Sequence, residues 1–489
     1  MTKTLKEIIK NRLNKRKVLK ERNDYPYPAK VKREQSLAEV LNSFTKLEKE
    51  EKLLEVAGRL MSRREHGKLT FGELYDGTAT MQIVFREDSM GKAAYERIGE
   101  FVDVGDFLSV EGTAFKTKRG EESIGVRKFK VITKSLRPLP EKWHGLKDVE
   151  QRYRKRYLDI LMNEEARELF KKRSAVVSEC RNFLEGENFI EVETPMLQMI
   201  PGGASAKPFE THLNALDLDM YLRIAPELYL KRLLVAGMPK VYELGRNFRN
   251  EGVDYSHNPE FTMLEFYWAY ADYKEGMKLT EELIASVVKK VNGKSKIEYG
   301  GEEINIKTPF ERIEFNELLQ KHADINYDDY DMKTLKKKAK ELGVEIKKKV
   351  HSKAEVADMI YKKYCLPKIQ EPTFVIHHPS EMIPLAKPLE DRPGYAASIQ
   401  LVIAGWELVK GYSELNDPVV QREFFEKQEK LRKSGDDEAQ FMDEDFLEAL
   451  EYGMPPAFGF GMGIDRLTAF LTGSNALREA ILFPTMKPK

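Results

Sequence analysis

The chain of 489 residues is longer than one hydrophobic core usually supports, so two or more domains are expected. Its 81 basic and 80 acidic side chains nearly cancel, and net charge alone therefore does not indicate a nucleic-acid-binding protein. The two cysteines, Cys180 and Cys365, are far apart and lack metal-ligand spacing, which argues against a disulfide framework and predicts a cytoplasmic location. Residues 1–20 lack the apolar segment of a secretory signal, and no apolar run is long enough to span a membrane.

Residues 1–53 are predicted to form a basic, helical N-terminal extension. Lysine and arginine dominate residues 3–33, where only three acidic side chains oppose them. This pattern fits either a solvated helix face or an arm that contacts nucleic-acid phosphates. A further helical stretch is expected over residues 37–53.

Residues 54–135 are predicted to form a small β-barrel. Four apolar segments, at 56–61, 80–85, 107–110 and 126–132, have strand character and are separated by turns that contain glycine or aspartate. Several short strands in fewer than a hundred residues are typical of an OB-fold. Pro138 and Pro140 then predict a linker over residues 136–163.

Residues 164–489 are predicted to be an α+β domain, because helical and strand-like patterns alternate to the C-terminus. Within it, residues from about 310 to 369 are rich in lysine and glutamate with helical periodicity. We expect this segment to be a helical insertion.

A dense cluster of functional side chains lies in residues 242–267, where two strand-like stretches flank a loop. An ATP site needs a guanidinium for phosphate oxygens, an aromatic ring for adenine, and a carboxylate for its exocyclic amine. Arg249, Phe261 and Glu251 supply these three groups on one predicted hairpin. Taken alone, the same residues also fit an ordinary charged hairpin.

A second cluster lies in residues 459–467, a glycine-rich strand that leads into a helix with Arg466 near its start. Glycines let a ligand approach the backbone, and an arginine at a helix N-terminus adds to its attraction for anions. The spacing is neither GxGxxG nor GxxxxGK[ST], so Rossmann and P-loop chemistry are excluded.

Together these segments resemble the three signature motifs of the class II aminoacyl-tRNA synthetases. Residues 189–195 resemble motif 1, residues 248–251 motif 2, and residues 459–466 motif 3. The resemblance implies a catalytic domain built on an antiparallel sheet flanked by helices, and a homodimer formed through motif 1. The N-terminal barrel is similar to the anticodon-binding domain of the aspartyl, asparaginyl and lysyl subgroup.

Within that subgroup, residues 225–232, 263–267 and 411–417 most closely resemble the lysyl-tRNA synthetases. A lysine pocket must neutralise two ammonium groups, so it needs convergent carboxylates, whereas an aspartate or asparagine pocket would present cationic or amide groups. The resemblance assigns the following residues to lysine: Glu227 and Glu265 to the α-amino group, Glu414 and Tyr267 to the ε-ammonium, Arg249 to the carboxylate, and Gly203 to a loop beside the substrate. For Gly203, a plain turn is the alternative.

The resemblance also implies the reaction, in which ATP activates L-lysine as lysyl-adenylate and the lysyl group passes to the 3′ end of tRNA(Lys). Arg249 and Arg466 are the expected catalytic residues. Further contacts to ATP are expected from Glu251, His257, Asn258 and Phe261, although His257 also fits a packing role in the hairpin.

Mg²⁺ is expected with ATP, and Glu407 is its predicted protein ligand. The chain departs from the family pattern at two positions. Gln400 occupies the place of a second acidic metal ligand, which a neutral amide fills without charge. Lys410 replaces an asparagine; it is expected to pair with the lysine carboxylate, whereas an orientation towards the ε-ammonium would repel the substrate.

In the barrel, Arg63, Phe71, Gln82 and Glu121 match positions that the family uses on the anticodon. An aromatic ring that stacks on a base, with polar groups at its edge, is the usual way to bind single-stranded RNA. Phe71 also fits a position in the barrel core.

Three other functions remain open on the sequence. One is an aspartyl- or asparaginyl-specific synthetase, which the glutamate set disfavours. A second is a catalytically silent, synthetase-like RNA-binding scaffold, for which Gln400 and Lys410 are the only support. A third is a relative that transfers lysine to a protein, but such proteins generally lack the anticodon barrel.

Overall fold

The structure is a computed structural model that describes residues 4–140, 146, 148–254, 257–346, 350, 352–435 and 439–488. The chain divides into two compact units, residues 1–145 and 146–489. The boundary between them falls inside the range 136–163 that the prolines predict as a linker. Among the described residues, no helix has both the length and the apolar character needed to cross a membrane.

The N-terminal unit contains a closed five-stranded barrel. Its strands are β1 (Leu53–His66), β2 (Leu69–Tyr75), β3 (Thr80–Arg86), β4 (Phe107–Lys116) and β5 (Glu122–Thr133). Around the barrel the order is β1–β2–β3–β5–β4; β3 and β5 are parallel and the other pairs are antiparallel. The closed barrel confirms the predicted fold.

The barrel core follows from alternation along its strands, since successive side chains point to opposite faces. In β1, Leu54, Val56, Gly58 and Leu60 are buried, whereas the residues that alternate with them are not. Strand β2 was not among the predicted strands, because Gly72 interrupts its apolar pattern. A side chain at Gly72 would bring its Cβ within 2.6 Å of Leu60 Cδ1, so the glycine permits close packing inside the barrel.

Helices surround this barrel within the N-terminal unit. They are α1 (Leu5–Glu21), α2 (Leu37–Asn42), α3 (Phe44–Lys49), α4 (Glu87–Met90) and α5 (Lys92–Phe101). The stretch 37–53 is therefore two short helices followed by β1, not one helix. In the basic extension, the Arg12 guanidinium donates to the backbone carbonyls of Val104 and Ser135, each at 3.0 Å, which fixes α1 against the barrel.

The C-terminal unit is built on an eight-stranded sheet. The strands of this unit are β6 (Ile190–Glu191), β7 (Leu197–Gln198), β8 (Phe209–Leu213), β9 (Leu218–Leu222), β10 (Lys240–Phe248), β11 (Glu260–Ala269), β12 (Lys296–Tyr299), β13 (Glu302–Asn305), β14 (Glu311–Glu314), β15 (Thr373–Ile376), β16 (Ser398–Ile403), β17 (Trp406–Ser413) and β18 (Ala457–Gly463). The large sheet has the order β14–β15–β16–β17–β18–β11–β10–β6, and only its two outermost pairs are parallel. The predicted antiparallel catalytic sheet is thus confirmed.

Helices cover both faces of this sheet. They are α6 (Val149–Arg154), α7 (Arg156–Met162), α8 (Glu164–Gly186), α9 (Glu227–Val235), α10 (Tyr273–Asn292), α11 (Phe315–Ala323), α12 (Met332–Glu341), α13 (Lys353–Ile360), α14 (Pro418–Lys433), α15 (Glu444–Glu451) and α16 (Ile464–Leu471). Leu264 and Phe266 of β11 pack in one core with α8, α10 and α16. Because strand residues alternate, Glu265 and Tyr267 point to the opposite face, where α9 and α15 pack.

A helical subdomain is inserted between β14 and β15. It comprises α11, α12, α13 and a π-helix at Tyr361–Cys365, with its own apolar core. Within the predicted insertion range of about 310–369, β14 is a strand of the large sheet and pairs in parallel with β15. Short 3₁₀ turns occur at Tyr327–Asp329, Leu366–Lys368, Ser380–Met382 and Leu477–Ala480.

Candidate active site

A row of side chains in register crosses the middle of the large sheet. Gln400 of β16 pairs with Lys410 of β17, Lys410 pairs with Gly461 of β18, and Gly461 pairs with Glu265 of β11. Residues directly opposite one another point to the same face. Lys410 and Glu265 therefore stand two strands, or about 10 Å, apart with a bare glycine between them. This sheet face carries a cation at one end and a carboxylate at the other.

A cavity of about 290 Å³ lies over this row, which is the size of a small-molecule site. The structure brings seven of the predicted site residues into its wall: Gly203, Glu227, Arg249, Glu265, Tyr267, Gln400 and Lys410. Tyr412 and His378 also line it, and the sequence analysis did not single them out. The cavity wall contains several ionisable groups, which suits a charged ligand.

Glycines keep the space over the sheet open. A Cβ on Gly459 would lie 1.8 Å from Glu414 Oε1 and 2.7 Å from Tyr267 Cε1. At Gly203, φ is +85° and a Cβ would lie 2.7 Å from that of Glu227. Gly459 is therefore required because a side chain would clash with its neighbours. Gly203 is required for the same reason and because its positive φ favours glycine.

Behind the cavity, Lys231 is fully buried between two of the predicted substrate carboxylates. Its ammonium donates to Glu227 Oε1 at 2.7 Å and forms an ion pair with Glu414. Tyr412 Oη also donates to Glu227 Oε1, at 2.7 Å. Burial lowers the pKa of Lys231, but Glu227 and Glu414 more than offset it, so the net pKa is raised and Lys231 is charged.

Glu414 is buried behind the wall and holds the chain's own Lys231, whereas the sequence predicts that it holds the substrate ε-ammonium. Burial raises the pKa of Glu414 well above its usual range, and Lys231 opposes this rise. Lys231 was missed in the sequence analysis. Its position four residues after Glu227 on α9 is the signal that could have identified the pair.

Glu265 lies on the cavity floor, and only 3% of its surface is exposed. Burial, and then the negative charge of Glu227, raises the pKa of Glu265 to about 8, while the positive charges of Arg249 and Arg223 oppose this rise. An ammonium ligand beside such a buried carboxyl group would lower its pKa again, because the positive charge stabilises the ionised form.

Arg249 follows β10 directly and is half-buried at the cavity wall. Its guanidinium carbon lies 5.0 Å from the ring centroid of Phe261, and its buried Nε has no hydrogen-bond partner among the described residues. Burial lowers the pKa of Arg249. A guanidinium held by stacking with donors to spare is suited to bind an anion.

Comparison with known proteins identifies the family. Residues 148–487 match the tRNA synthetases class II (D, K and N), and residues 54–139 match the OB-fold nucleic acid binding domain. A lysine–tRNA ligase of Pelotomaculum thermopropionicum is 48% identical over 488 residues, which cover 99% of this chain and 96% of the relative. A lysine–tRNA ligase of Syntrophomonas wolfei is 47% identical, over 98% of that protein and 99% of this chain. A lysine–tRNA ligase of Clostridium tetani is 48% identical, over 91% of that protein and 94% of this chain.

The chain belongs to the class II tRNA synthetases of the D, K and N group. It is an aminoacyl-tRNA synthetase, as the sequence predicts, and its OB-fold is the tRNA-binding domain of this family.

Five predicted ATP-binding residues of this synthetase lie outside the cavity wall, and one of them, Phe261, stacks against the Arg249 guanidinium. Arg466, on α16, donates from Nη1 to the backbone carbonyl of Glu407 at 3.3 Å. His257 is exposed, and its Nδ1 lies 3.0 Å from an oxygen of Asp254. Asn258 is buried, and its Nδ2 donates to the carbonyl of Glu260 at 2.6 Å, a contact that shapes the start of β11. Glu251 is half-buried in the loop after Arg249, and the ATP roles of these residues remain predictions.

The predicted Mg²⁺ ligands differ in their fit to a metal. Glu407 Oε1 is buried without a hydrogen-bond partner among the described residues, so it fits one ligand position. Gln400 Oε1 accepts a hydrogen bond from Tyr361 Oη at 2.8 Å, and that amide carries no charge. In the described part of the chain, no three acidic, histidine or cysteine side chains are grouped to hold a metal. Of the two predicted ligands, only Glu407 therefore offers a carboxylate to Mg²⁺.

In the barrel, the predicted anticodon residues divide between two faces. Phe71 is half-buried and lies outside the apolar core, and Gln82 Nε2 donates to Glu121 Oε2 at 2.7 Å. The Arg63 guanidinium instead donates to the carbonyl of Ile98 at 3.0 Å. Its exposed neighbour Arg64 pairs with Phe71 across β1 and β2 and shares its face, so it is a candidate that the sequence analysis missed.

Replacing Gly459 with Ala is expected to destabilise the pocket by about 1–3 kcal/mol, because the added methyl overlaps Glu414 and Tyr267. Isothermal titration with lysine and thermal unfolding are the measurements, and weaker lysine binding with a lower Tm is expected. Gly463→Ala is the matched control on the same strand, since its Cβ would approach only the Arg466 side chain, at 3.7 Å. Equal effects of the two variants would contradict the overlap.

Proposed function

We propose that this synthetase activates L-lysine with ATP and esterifies it to the 3′ end of tRNA(Lys). The observation that carries the proposal is the set of buried carboxylates at one end of the cavity: Glu265 on the floor, Glu227 in the wall, and Glu414 behind it. The side chain of aspartate or asparagine gains nothing from these carboxylates, because it is anionic or neutral, whereas the side-chain ammonium of lysine is attracted to them. The named activity of the relatives supports the same choice.

In the activation step, the lysine carboxylate attacks the α-phosphorus of ATP and the bond to pyrophosphate breaks. Arg249 binds both the carboxylate and the α-phosphate, so it holds the reacting atoms together and stabilises charge in the transition state. Glu265 and Glu227 hold the α-ammonium beside this carboxylate. When bound with ATP, Mg²⁺ supplies neutralising charge to the phosphates, and Glu407 is its proposed ligand.

In the transfer step, the 3′-hydroxyl of tRNA attacks the carbonyl of lysyl-adenylate and AMP leaves. No protein nucleophile takes part in either step, since the chain contributes positioning and charge. The anticodon loop is proposed to contact Phe71, Gln82, Glu121 and Arg64 on the outer barrel face, with Arg63 shaping the barrel end through its backbone contacts.

The test is ATP–pyrophosphate exchange on the purified protein with each amino acid in turn. Exchange with lysine alone is the expected result. Exchange with aspartate or asparagine would reject the lysine assignment, and silence with every amino acid would favour the RNA-binding scaffold. The buried Nε of Arg249 and Oε1 of Glu407 have no hydrogen-bond partner in the described part of the chain, and this disfavours the scaffold, because buried polar groups without partners are costly unless a ligand uses them.

Lysine binding is expected to strengthen as pH rises from 6 towards 8, because the α-ammonium prefers ionised Glu265. Burial raises the pKa of Glu265 to about 8, so each pH unit below that value costs up to about tenfold in affinity. Four charged groups act on it: Glu227 and Glu243 raise the pKa, while Arg249 and Arg223 lower it. Calorimetric titration over pH 6.0–8.5 is the measurement.

Glu265→Gln serves as the control, since its lysine affinity should be weaker and lack this pH dependence. The stability of the free protein should change in the opposite direction, falling as pH rises. The pKa of Glu265 is about 8 in the folded protein and 4.5 in the unfolded chain, so its contribution to the free energy of unfolding is lost as pH rises between these two values. A wild-type lysine affinity that stays constant over the range would contradict the assignment.

We propose a homodimer that forms through motif 1. Apolar side chains are exposed in and after it: Ile190, Met196, Leu197 and Met199, the last with 62% of its surface exposed. Met199→Glu is expected to yield a monomer in light-scattering chromatography, whereas Val419→Glu on α14, equally exposed, should remain dimeric. Wild-type protein that elutes as a monomer would reject the proposal.

The cytoplasm is the proposed location, since both cysteines are free.

A further inference from the structure

Basic side chains outnumber acidic ones around Glu407, where the phosphate groups of ATP are proposed to bind. Lys410, Lys362 and Arg466 all act electrostatically on the Glu407 carboxylate. Arg466 contacts the Glu407 backbone at 3.3 Å, and Lys362 forms a 2.7 Å ion pair with Asp358. Among the described residues named here, three basic groups thus face two acidic ones, whereas a protein site for a divalent cation needs an excess of carboxylates.

Lys410 is the one of these three that reaches the cavity wall. Its side chain is exposed, and its ammonium has no ion-pair or hydrogen-bond partner among the described residues. It stands in register between Gln400 and Gly461, and the glycine leaves the space beside it open. An ammonium that makes no direct contact with a carboxylate in the described part of the chain, at the edge of an open floor, is placed to receive an anionic oxygen of the ligand.

Gln400, the other neighbour of Lys410, is unsuited to hold a metal ion. Only 3% of its surface is exposed, and its carbonyl oxygen is engaged by the hydroxyl of Tyr361. A Mg²⁺ ion bound between Gln400 and Glu407 would gain one carboxylate and face the ammonium of Lys410 directly across the strand pair. Two acidic residues at positions 400 and 407 could hold a second metal ion, but Gln400 and the neighbouring Lys410 make this position unfavourable for a cation.

We propose that Lys410 supplies the positive charge that a second, protein-held Mg²⁺ would otherwise supply, so that this synthetase uses only the Mg²⁺ bound to ATP itself. Its ammonium lies where the lysine carboxylate meets the α-phosphate and neutralises both. The inference rests on the proposed function, because ATP must be the substrate of the cavity. It makes Lys410 a residue that contacts the reacting groups.

The first experiment counts metal ions without requiring turnover. Mn²⁺ bound to the protein with a non-hydrolysable ATP analogue is titrated by electron paramagnetic resonance. The expected count is one Mn²⁺ per bound analogue for the wild type and two for the double variant Gln400→Glu/Lys410→Asn, which restores the acidic pair and removes the ammonium. Two ions on the wild type would overturn the proposal, as would one on the double variant when it binds the analogue.

The second experiment measures pyrophosphate exchange against free Mg²⁺ at saturating MgATP. The wild-type rate should be independent of free Mg²⁺, whereas the double variant should require it. Lys410→Asn alone should lower kcat/KM by about 10²-fold without rescue by free Mg²⁺. Lys290→Asn, on the exposed end of α10, is the control and should match the wild type.

If Lys410→Asn has wild-type activity, or if free Mg²⁺ restores the activity of this variant, the proposed role of the Lys410 ammonium is wrong. The experiments test the lysine activity and the role of Lys410 separately. If no amino acid supports exchange, the lysine activity is rejected, but the Mn²⁺ count on the ATP analogue still decides how many ions the site holds.

Discussion

Replacing Arg249 with Ala is expected to lower kcat/KM for lysine activation by about 10³-fold, or about 4 kcal/mol of transition-state stabilisation, and to leave the fold intact. Arg249 reaches the cavity wall, and its guanidinium stacks over Phe261 at 5.0 Å. Its buried Nε lacks a hydrogen-bond partner among the described residues, so the substitution removes ligand contacts and little else. Pyrophosphate exchange and circular dichroism are the measurements.

Arg246→Ala is the matched control for this variant. Arg246 lies on β10, three residues earlier, and its half-exposed guanidinium is 3.5 Å from a Glu260 oxygen. Loss of such an exposed ion pair costs at most about 1 kcal/mol, so exchange should continue at close to the wild-type rate. Retained exchange in Arg249→Ala, or an equal loss in Arg246→Ala, would refute the assigned role of Arg249.

Replacing Lys231 with Met is expected to lower the free energy of unfolding by about 3–5 kcal/mol. Lys231 is fully buried, and its ammonium compensates Glu227 and Glu414 at once. Methionine fills the volume of the lysine stem but leaves both carboxylates without a counter-charge. Urea unfolding at pH 7.5 is the measurement, and it should show a lower midpoint with an unchanged slope.

A double-mutant cycle with Glu414→Gln separates charge from packing. In the double variant Lys231→Met/Glu414→Gln, one of the two buried charges that lost their partner is gone, so the cost should be clearly less than the sum of the two single costs. Additive costs would show that Lys231 stabilises the fold through packing alone. A cost below about 1 kcal/mol for Lys231→Met would contradict the buried ion pair.

This resident lysine bears on how the pocket selects its substrate. Lys231 already neutralises much of the charge of Glu227 and Glu414. Glu265, whose pKa burial raises to about 8, is the carboxyl group on the floor that remains to be stabilised by a cation. A ligand with ammonium groups at this end and a carboxylate near Arg249 and Lys410 therefore complements the cavity from one end to the other.

The family and the barrel could be read from the sequence, which also singled out residues that the fold brings to one cavity. Short motifs carry this information, because a site that binds ATP and an amino acid needs residues of a given type at a given spacing. Arg249 with Phe261, and Glu227 with Glu265, were identified in this way and line or border the cavity. Strand alternation in β1 likewise follows from local sequence.

The tertiary structure alone decided which groups pair across long stretches of chain. The ion pair of Lys231 with Glu414 and the hydrogen bond from Tyr361 to Gln400 join residues 183 and 39 positions apart. Local periodicity also missed β2, and only the register of β1 and β2 shows that Arg64 pairs with Phe71. A buried polar group takes whichever partner the packing brings within reach, and that choice is made by the assembled sheet and helices, not by neighbours in sequence.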